Sequence, residues 1–247
     1  MTVQHVLIIG GTSGIGLGLA RHYAALGARV ALCGRHPEKV AGLPLMRDGR
    51  VTVHACDIAD RDQVATVVNE FAAGGLDLLI VTAGQYTDAA AIARDPGAGL
   101  PVLRVNVGGL EHAFSAGAGA MMARGSGHLV AVASIAGLQR DYPGGSVYSA
   151  SKRAAIAICD AYRKALARCS IAVTVIVPGY VDTARLRELN GGDASGKPFL
   201  MSEDEAVQRI AAAIARRAER YVFPWQMQAL VRLFNLLPLT LKRLRKK

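Results

Sequence analysis

The sequence predicts a doubly wound α/β fold, one parallel sheet with helices on both faces. Short, almost continuously apolar runs recur along the chain, and segments with helical apolar spacing lie between them. Competing signals are lacking: there is no internal repeat, no low-complexity linker and no run of 18 apolar residues.

The first run, residues 3–9, is followed by helical spacing over 14–26. Further runs fall at 30–33, 51–54, 76–81, 128–133 and 171–177, and a seventh at 220–223. A second clear helical pattern covers 149–168. Strands buried on both faces carry no polar alternation, so about seven parallel strands are expected.

A chain of 247 residues fits one domain, 1–247, with a core over 1–223. At 51% hydrophobic and 19% charged it is not a disordered composition, and its 27 glycines follow no G-X-Y period. The first eleven residues lack a basic n-region and read as a strand, not as a signal peptide. Cys33, Cys56, Cys159 and Cys169 fit neither CxxC nor a zinc spacing; reduced, buried thiols, no metal and a cytoplasmic protein are expected.

The net charge of +10 is concentrated at one end. Residues 1–208 hold 19 basic and 18 acidic residues, whereas 209–247 hold 10 basic residues against Glu219 alone. A near-neutral body with 5% aromatic content speaks against a nucleic-acid partner.

Gly10, Gly14 and Gly16 form a G-x-x-x-G-x-G turn between the first strand and the first helix. Glycine lets backbone approach a pyrophosphate, and the helix N-terminus offers it unpaired N–H groups. In this strand–turn–helix context the motif reads as a Rossmann-type dinucleotide site, with Ile15 on its backbone. Thr12 and Ser13 add hydroxyl contacts, or else cap the helix. After the second strand, where a carboxylate would take a ribose 2′-hydroxyl, the chain reads Gly34-Arg35. A guanidinium there matches a 2′-phosphate, which favours NADP over NAD; the plain alternative is a solvated arginine. Asp57 is placed to accept from the adenine amino group, a role compatible with capping a helix.

Tyr148 and Lys152 are four apart on a helical pattern and so share a face. An adjacent ammonium favours phenolate, which brings a tyrosine toward the range useful for acid/base work. Tyr148 then donates a proton to a carbonyl oxygen as hydride reaches carbon, and Lys152 holds ribose hydroxyls.

With these motifs in order, the chain resembles the short-chain dehydrogenase/reductase family over nearly its whole length. The matching pieces are the Gly10–Gly16 turn, Asp57, Ala83-Gly84, Asn106, Ser134, Tyr148-x-x-x-Lys152, and Pro178-Gly179 with Val181 and Thr183. The resemblance implies Tyr148 as acid/base, with Lys152 binding the nicotinamide ribose and lowering the Tyr148 pKa. It implies Ser134 on the substrate oxygen and Asn106 anchoring a water that relays protons to Lys152. Pro178, Gly179, Val181 and Thr183 would border the nicotinamide, and Ala83-Gly84 the cofactor. For Ser134 and Asn106 the plain alternatives are a strand-end hydroxyl bonded to backbone and a mid-helix kink.

The chain departs from the family pattern in three places. Ile9 replaces a threonine before the first motif glycine, Ser13 stands where many NADP-using members have a basic residue, and Val81-Thr82 replaces Asn-Asn before Ala83. The last change is expected to touch stability more than chemistry.

Residues 138–146 should line the substrate pocket, with Gln139, Arg140 and Tyr142 as polar candidates. Residues 184–202 read as a substrate lid, with Gly191, Gly192 and Gly196 as hinges. Arg185, Arg187 and Lys197 either meet an anionic substrate group or are solvated charges.

The tail, 224–247, is amphipathic and basic. Trp225, Met227, Leu230, Val231, Leu233, Phe234, Leu236 and Leu237 are read as one broad apolar face, with Gln228, Arg232 and Asn235 opposite, a break at Pro238 and a basic tip over 242–247. With Phe199-Leu-Met-Ser202, this tail resembles a bacterial subgroup of the family with Pro-Trp and Leu-Leu-Pro in its tail. One reading is a helix packed on the body or on a subunit of a homo-oligomer; the other is peripheral contact with anionic lipid through 225–247. The function expected is an NADP-dependent oxidoreductase interconverting a small-molecule ketone or aldehyde and an alcohol. A non-catalytic dinucleotide-binding scaffold or sensor is the alternative.

Overall fold

A computed structural model describes residues 3–139 and 146–237. The strands are β1 (His5–Ile9), β2 (Arg29–Gly34), β3 (Val51–Ala55), β4 (Leu78–Val81), β5 (Gly127–Val132), β6 (Ile171–Pro178), β7 (Val181–Asp182), β8 (Met201–Ser202) and β9 (Arg220–Phe223). The α-helices are α1 (Gly14–Ala25), α2 (Glu38–Ala41), α3 (Arg61–Ala72), α4 (Ala89–Arg94), α5 (Leu100–Leu103), α6 (Leu110–Arg124), α7 (Val147–Ala165), α8 (Ala184–Glu188), α9 (Glu203–Ala215) and α10 (Trp225–Leu236).

The main sheet has the order β3-β2-β1-β4-β5-β6-β9, every neighbouring pair parallel. These are the seven apolar runs, and the architecture is Rossmann-type and doubly wound. Side chains alternate between the faces. Leu7, Ile9, Leu79, Leu129 and Val175 pack with α3, α6 and α7 through Phe71, Phe114 and Ile156. Val6, Ile8, Leu32, Ile80 and Ile176 pack with α1 and α9 through Leu19 and Ile210. Burial on both faces explains why these runs show no polar alternation.

The chain reverses direction of winding between β1 and β4, which leaves a crevice at their C-terminal ends. That crevice positions the candidate site. The sequence reading missed β7 and β8, two residues each, which form a small parallel ladder. β8 ends the 184–202 segment read as a lid and pairs with β7 just before that segment, which ties its two ends together. Cys33, Cys56 and Cys159 are buried and Cys169 is half-buried, all free thiols. Among the described residues no helix is long and apolar enough to cross a membrane, and no group of three metal-ligating side chains forms.

The tail is where the structure most corrects the sequence reading. Residues 225–236 are helical, but their apolar side chains divide between a buried part and an exposed part. Met227 and Val231 are buried against Ile135, whereas Trp225, Leu230, Leu233 and Leu236 are exposed. Nor is the other side free of contact, because Asn235 donates to the Leu138 carbonyl at 2.8 Å. A broad apolar face carries no signal for which part of it meets the body; the contact with Ile135 and Leu138 decides it. Pro238 and the 242–247 tip lie outside the described residues, as do Arg140 and Tyr142.

Candidate active site

The Gly-rich turn joins β1 to α1. Gly10 has φ +96°, and a Cβ there would stand 2.3 Å from the Ala83 nitrogen. A Cβ on Gly16 would stand 2.4 Å from the Gly10 carbonyl oxygen. Both positions therefore require glycine, and both press the turn against the end of β4. Thr82 completes that contact, its hydroxyl donating to the Gly10 carbonyl at 3.0 Å. Ile9, where the family usually has a threonine, is buried.

Ser13 stands at the N-cap of α1 in extended conformation but makes no capping bond with its side chain. Thr12 packs against Gly34 at the end of β2 instead of capping. The first N–H groups of α1 thus face the crevice without a side-chain acceptor, the donor set that fits a dinucleotide pyrophosphate. Ile15, Thr82, Gly84, Pro178, Gly179, Val181 and Thr183 line the same cavity, of about 520 Å³. The Thr183 hydroxyl caps α8 by accepting from Leu186 N–H. Arg35 is exposed just past β2 and has no ion-pair partner among the described residues.

Asp57 is not a helix cap. Its carboxylate accepts from the Ala59 N–H at 3.0 Å, and Asp60 caps α3. The two are three apart, and the chain enters the helix only after Asp60.

At the other end of the cavity Tyr148 lies in the first turn of α7, which starts with a capping box formed by Ser146 and Ser149. Gly137 lets the preceding turn approach α7 closely, since a Cβ there would stand 2.7 Å from the Lys152 carbonyl carbon. That approach brings Ser134 into hydrogen-bond contact with Tyr148. The Ser134 hydroxyl also accepts from the Ala136 N–H, so both expected roles coexist.

Lys152 is buried, donates to the Val132 carbonyl at 3.1 Å, and lies 5.8 Å from the centre of the Tyr148 ring. Burial pushes its ammonium down to about 8. The same burial pushes the Tyr148 phenol above its ordinary value, against the opposing pull of the Ser134 hydrogen bond. The expected lowering of Tyr148 by Lys152 is therefore not found. Desolvation dominates both groups and keeps the proton on the phenol.

Asn106 lies in a π-helical turn, Arg104–Gly109, rather than at a simple kink. Its side chain accepts from the Gln85 N–H at 2.8 Å and donates to the Gln85 carbonyl at 2.9 Å and to Ser151 Oγ at 2.9 Å. Both of its N–H donors are thereby taken, and only Oδ1 keeps capacity toward a water.

Several lining residues escaped the sequence reading. Tyr86 packs edge-on to Tyr148 with ring centres 5.0 Å apart. Tyr180 and Met227 also line the cavity. Tyr180 follows Gly179 directly, a signal within reach; Met227 depends on how α10 docks. Of the three lid cations, Arg185 pairs with Glu188 and Arg187 with Asp182. Lys197 lines the cavity, 5.5 Å from the centre of the Tyr180 ring.

Fold and site together describe a dinucleotide-binding α/β domain with a tyrosine–lysine pair in its crevice. A family model for short chain dehydrogenase matches residues 4–194, and the chain belongs to that family. It is 32% identical to an uncharacterized oxidoreductase of Mycobacterium tuberculosis, covering 98% of this chain and 97% of that one. It is 34% identical to the granaticin polyketide synthase putative ketoacyl reductase 1 of Streptomyces violaceoruber, covering 91% and 84%. Among solved structures it is similar to a short chain dehydrogenase from Burkholderia cenocepacia J2315 in complex with NADP. That similarity has a TM-score of 0.81 at 25% identity, over 96% of this chain and 100% of that one. The protein is an NAD(P)-dependent dehydrogenase/reductase.

Proposed function

We propose that the protein reduces a small-molecule ketone or aldehyde to an alcohol with NADPH. The observation that carries this reading is that Tyr148, Ser134 and Lys152 line one cavity with Ile15 of the first turn of α1, whose N-cap Ser13 makes no side-chain capping bond. The bound nicotinamide supplies the hydride.

In this reading Ser134 donates a hydrogen bond to the substrate carbonyl oxygen and Tyr148 gives that oxygen its proton. Burial favours the neutral phenol, which is the form reduction needs at the start of a turnover. Lys152 holds the nicotinamide ribose with the N–H donors left after its bond to Val132, and Asn106 Oδ1 anchors the water that returns a proton toward Lys152. Gly10, Thr12, Ser13, Gly14, Ile15 and Gly16 receive the diphosphate side, with Asp57 at adenine. Ala83, Gly84, Pro178, Gly179, Val181 and Thr183 border the rest of the cofactor.

Preference for NADP rests on Arg35, which has no ion-pair partner among the described residues and directly follows a strand end that carries no carboxylate. The complex of the Burkholderia cenocepacia relative with NADP supports it by analogy.

The test is a panel of ketones and aldehydes followed by the fall in NADPH absorbance. Turnover of at least one carbonyl is expected. A protein that binds NADPH tightly but oxidises it with no carbonyl on a broad panel would instead be a dinucleotide-binding scaffold.

A further inference from the structure

We propose that the exposed side of α10 is a docking surface for an anionic lipid bilayer. The helix turns 100° per residue, so Trp225, Ala229, Leu230, Leu233, Leu236 and the following Leu237 fall within an arc of about 140°. This arc faces solvent: Trp225 is 71% exposed, Leu233 61% and Leu236 81%. No other helix of the described protein exposes so many large apolar side chains. A patch of this kind on a helix whose other side is already packed calls for an occupant.

Charge identifies the occupant. Residues 224–247 carry six basic side chains and no acidic one, five of the six within 242–247. Of the four arginines at 209–220, Arg209 pairs with Glu205 and Arg220 with Asp160. The basic cluster at 242–247 follows α10 in sequence, within ten positions of Leu237. An apolar strip followed directly in sequence by concentrated positive charge matches acyl chains beneath anionic headgroups.

A second copy of the chain fits less well. Each copy carries a net charge of +10, so two copies repel on approach. A nucleic acid would find leucines where it needs phosphate contacts and stacking rings. The arc faces away from the buried Met227 and Val231, so this surface stands independently of the catalytic reading.

The chain has a single tryptophan, Trp225, and it lies on the arc, so intrinsic emission reports docking directly. The 247-residue protein is mixed with phosphatidylcholine vesicles, with or without phosphatidylglycerol, at low and high salt, and pelleted. Pelleting with the anionic vesicles, a blue shift of emission, and release by salt are expected. Lys246→Gln with Lys247→Gln should weaken binding about fivefold per charge removed. Leu233→Ser with Leu236→Ser should abolish pelleting and leave NADPH binding unchanged. Equally low pelleting with both vesicle types overturns the proposal. So does a blue shift that follows protein concentration without lipid, which would assign the arc to a second copy.

Discussion

Asn106 donates through Nδ2 to Ser151 Oγ at 2.9 Å, across 45 positions of sequence. Ser151 Oγ donates in turn to the Tyr148 carbonyl at 2.7 Å. The π turn is thereby fastened to the turn of α7 that presents Tyr148. Asn106 also grips both backbone groups of Gln85, so three separate elements meet at one buried amide.

This fastening predicts the effect of Ser151→Ala. The substitution leaves one Asn106 N–H unsatisfied at a position with no exposure, at a cost of about 1–3 kcal/mol. Denaturant unfolding should show that loss. Turnover should fall while NADPH binding persists, and full turnover in the variant would mean that the fastening does not position Tyr148.

Lys152 predicts a pH signature in stability. Its folded value of about 8 lies below the unfolded 10.5, so the unfolded chain binds the extra proton between those values. Stability from this group therefore rises with pH from about 8 to 10.5, by about 3 kcal/mol. The difference between the protein and Lys152→Met isolates it from other titrations. A difference that does not change over that window contradicts the assigned burial.

His128 gives the matching signature in acid. It is buried, hydrogen-bonded to Thr174 Oγ1 at 2.8 Å, and lowered to about 4, by burial first and Arg217 second. The unfolded chain takes up this proton near 6.5, so stability falls as pH drops from about 6.5 toward 4. His128→Gln keeps a polar partner for Thr174 and should flatten that acid limb in thermal unfolding at a series of pH values. An unchanged acid limb would place the titration elsewhere.

The site was legible in the sequence where its parts are local. The glycines of the first turn and the Tyr148–Lys152 spacing each lie within one short stretch, and backbone geometry translates them directly into a place. The apolar runs were legible for the same reason, and the run at 220–223 matches β9 without adjustment. Features that depend on tertiary contact were not. Tyr86 and Tyr180 reach the cavity from separate loops, and the buried side of α10 is chosen by Ile135. The balance of burial over charge at Tyr148 likewise depends on the surroundings of both residues, which helical spacing alone does not give.

Arg35 predicts cofactor choice. Arg35→Ala should weaken NADPH at least about tenfold and leave NADH nearly unchanged, because a charge-assisted contact to the 2′-phosphate contributes about 1.5–3 kcal/mol. Titrating both cofactors against the variant checks this. Equal losses for the two would make Arg35 structural.

The central claim is that Tyr148 is the proton donor. Tyr148→Phe keeps the ring that packs against Tyr86 and removes only the hydroxyl bonded to Ser134. With a carbonyl that the unaltered protein turns over, the variant's NADPH oxidation should fall about a hundredfold to ten-thousandfold, with NADPH affinity retained. Turnover within a few-fold of the unaltered protein would contradict the account.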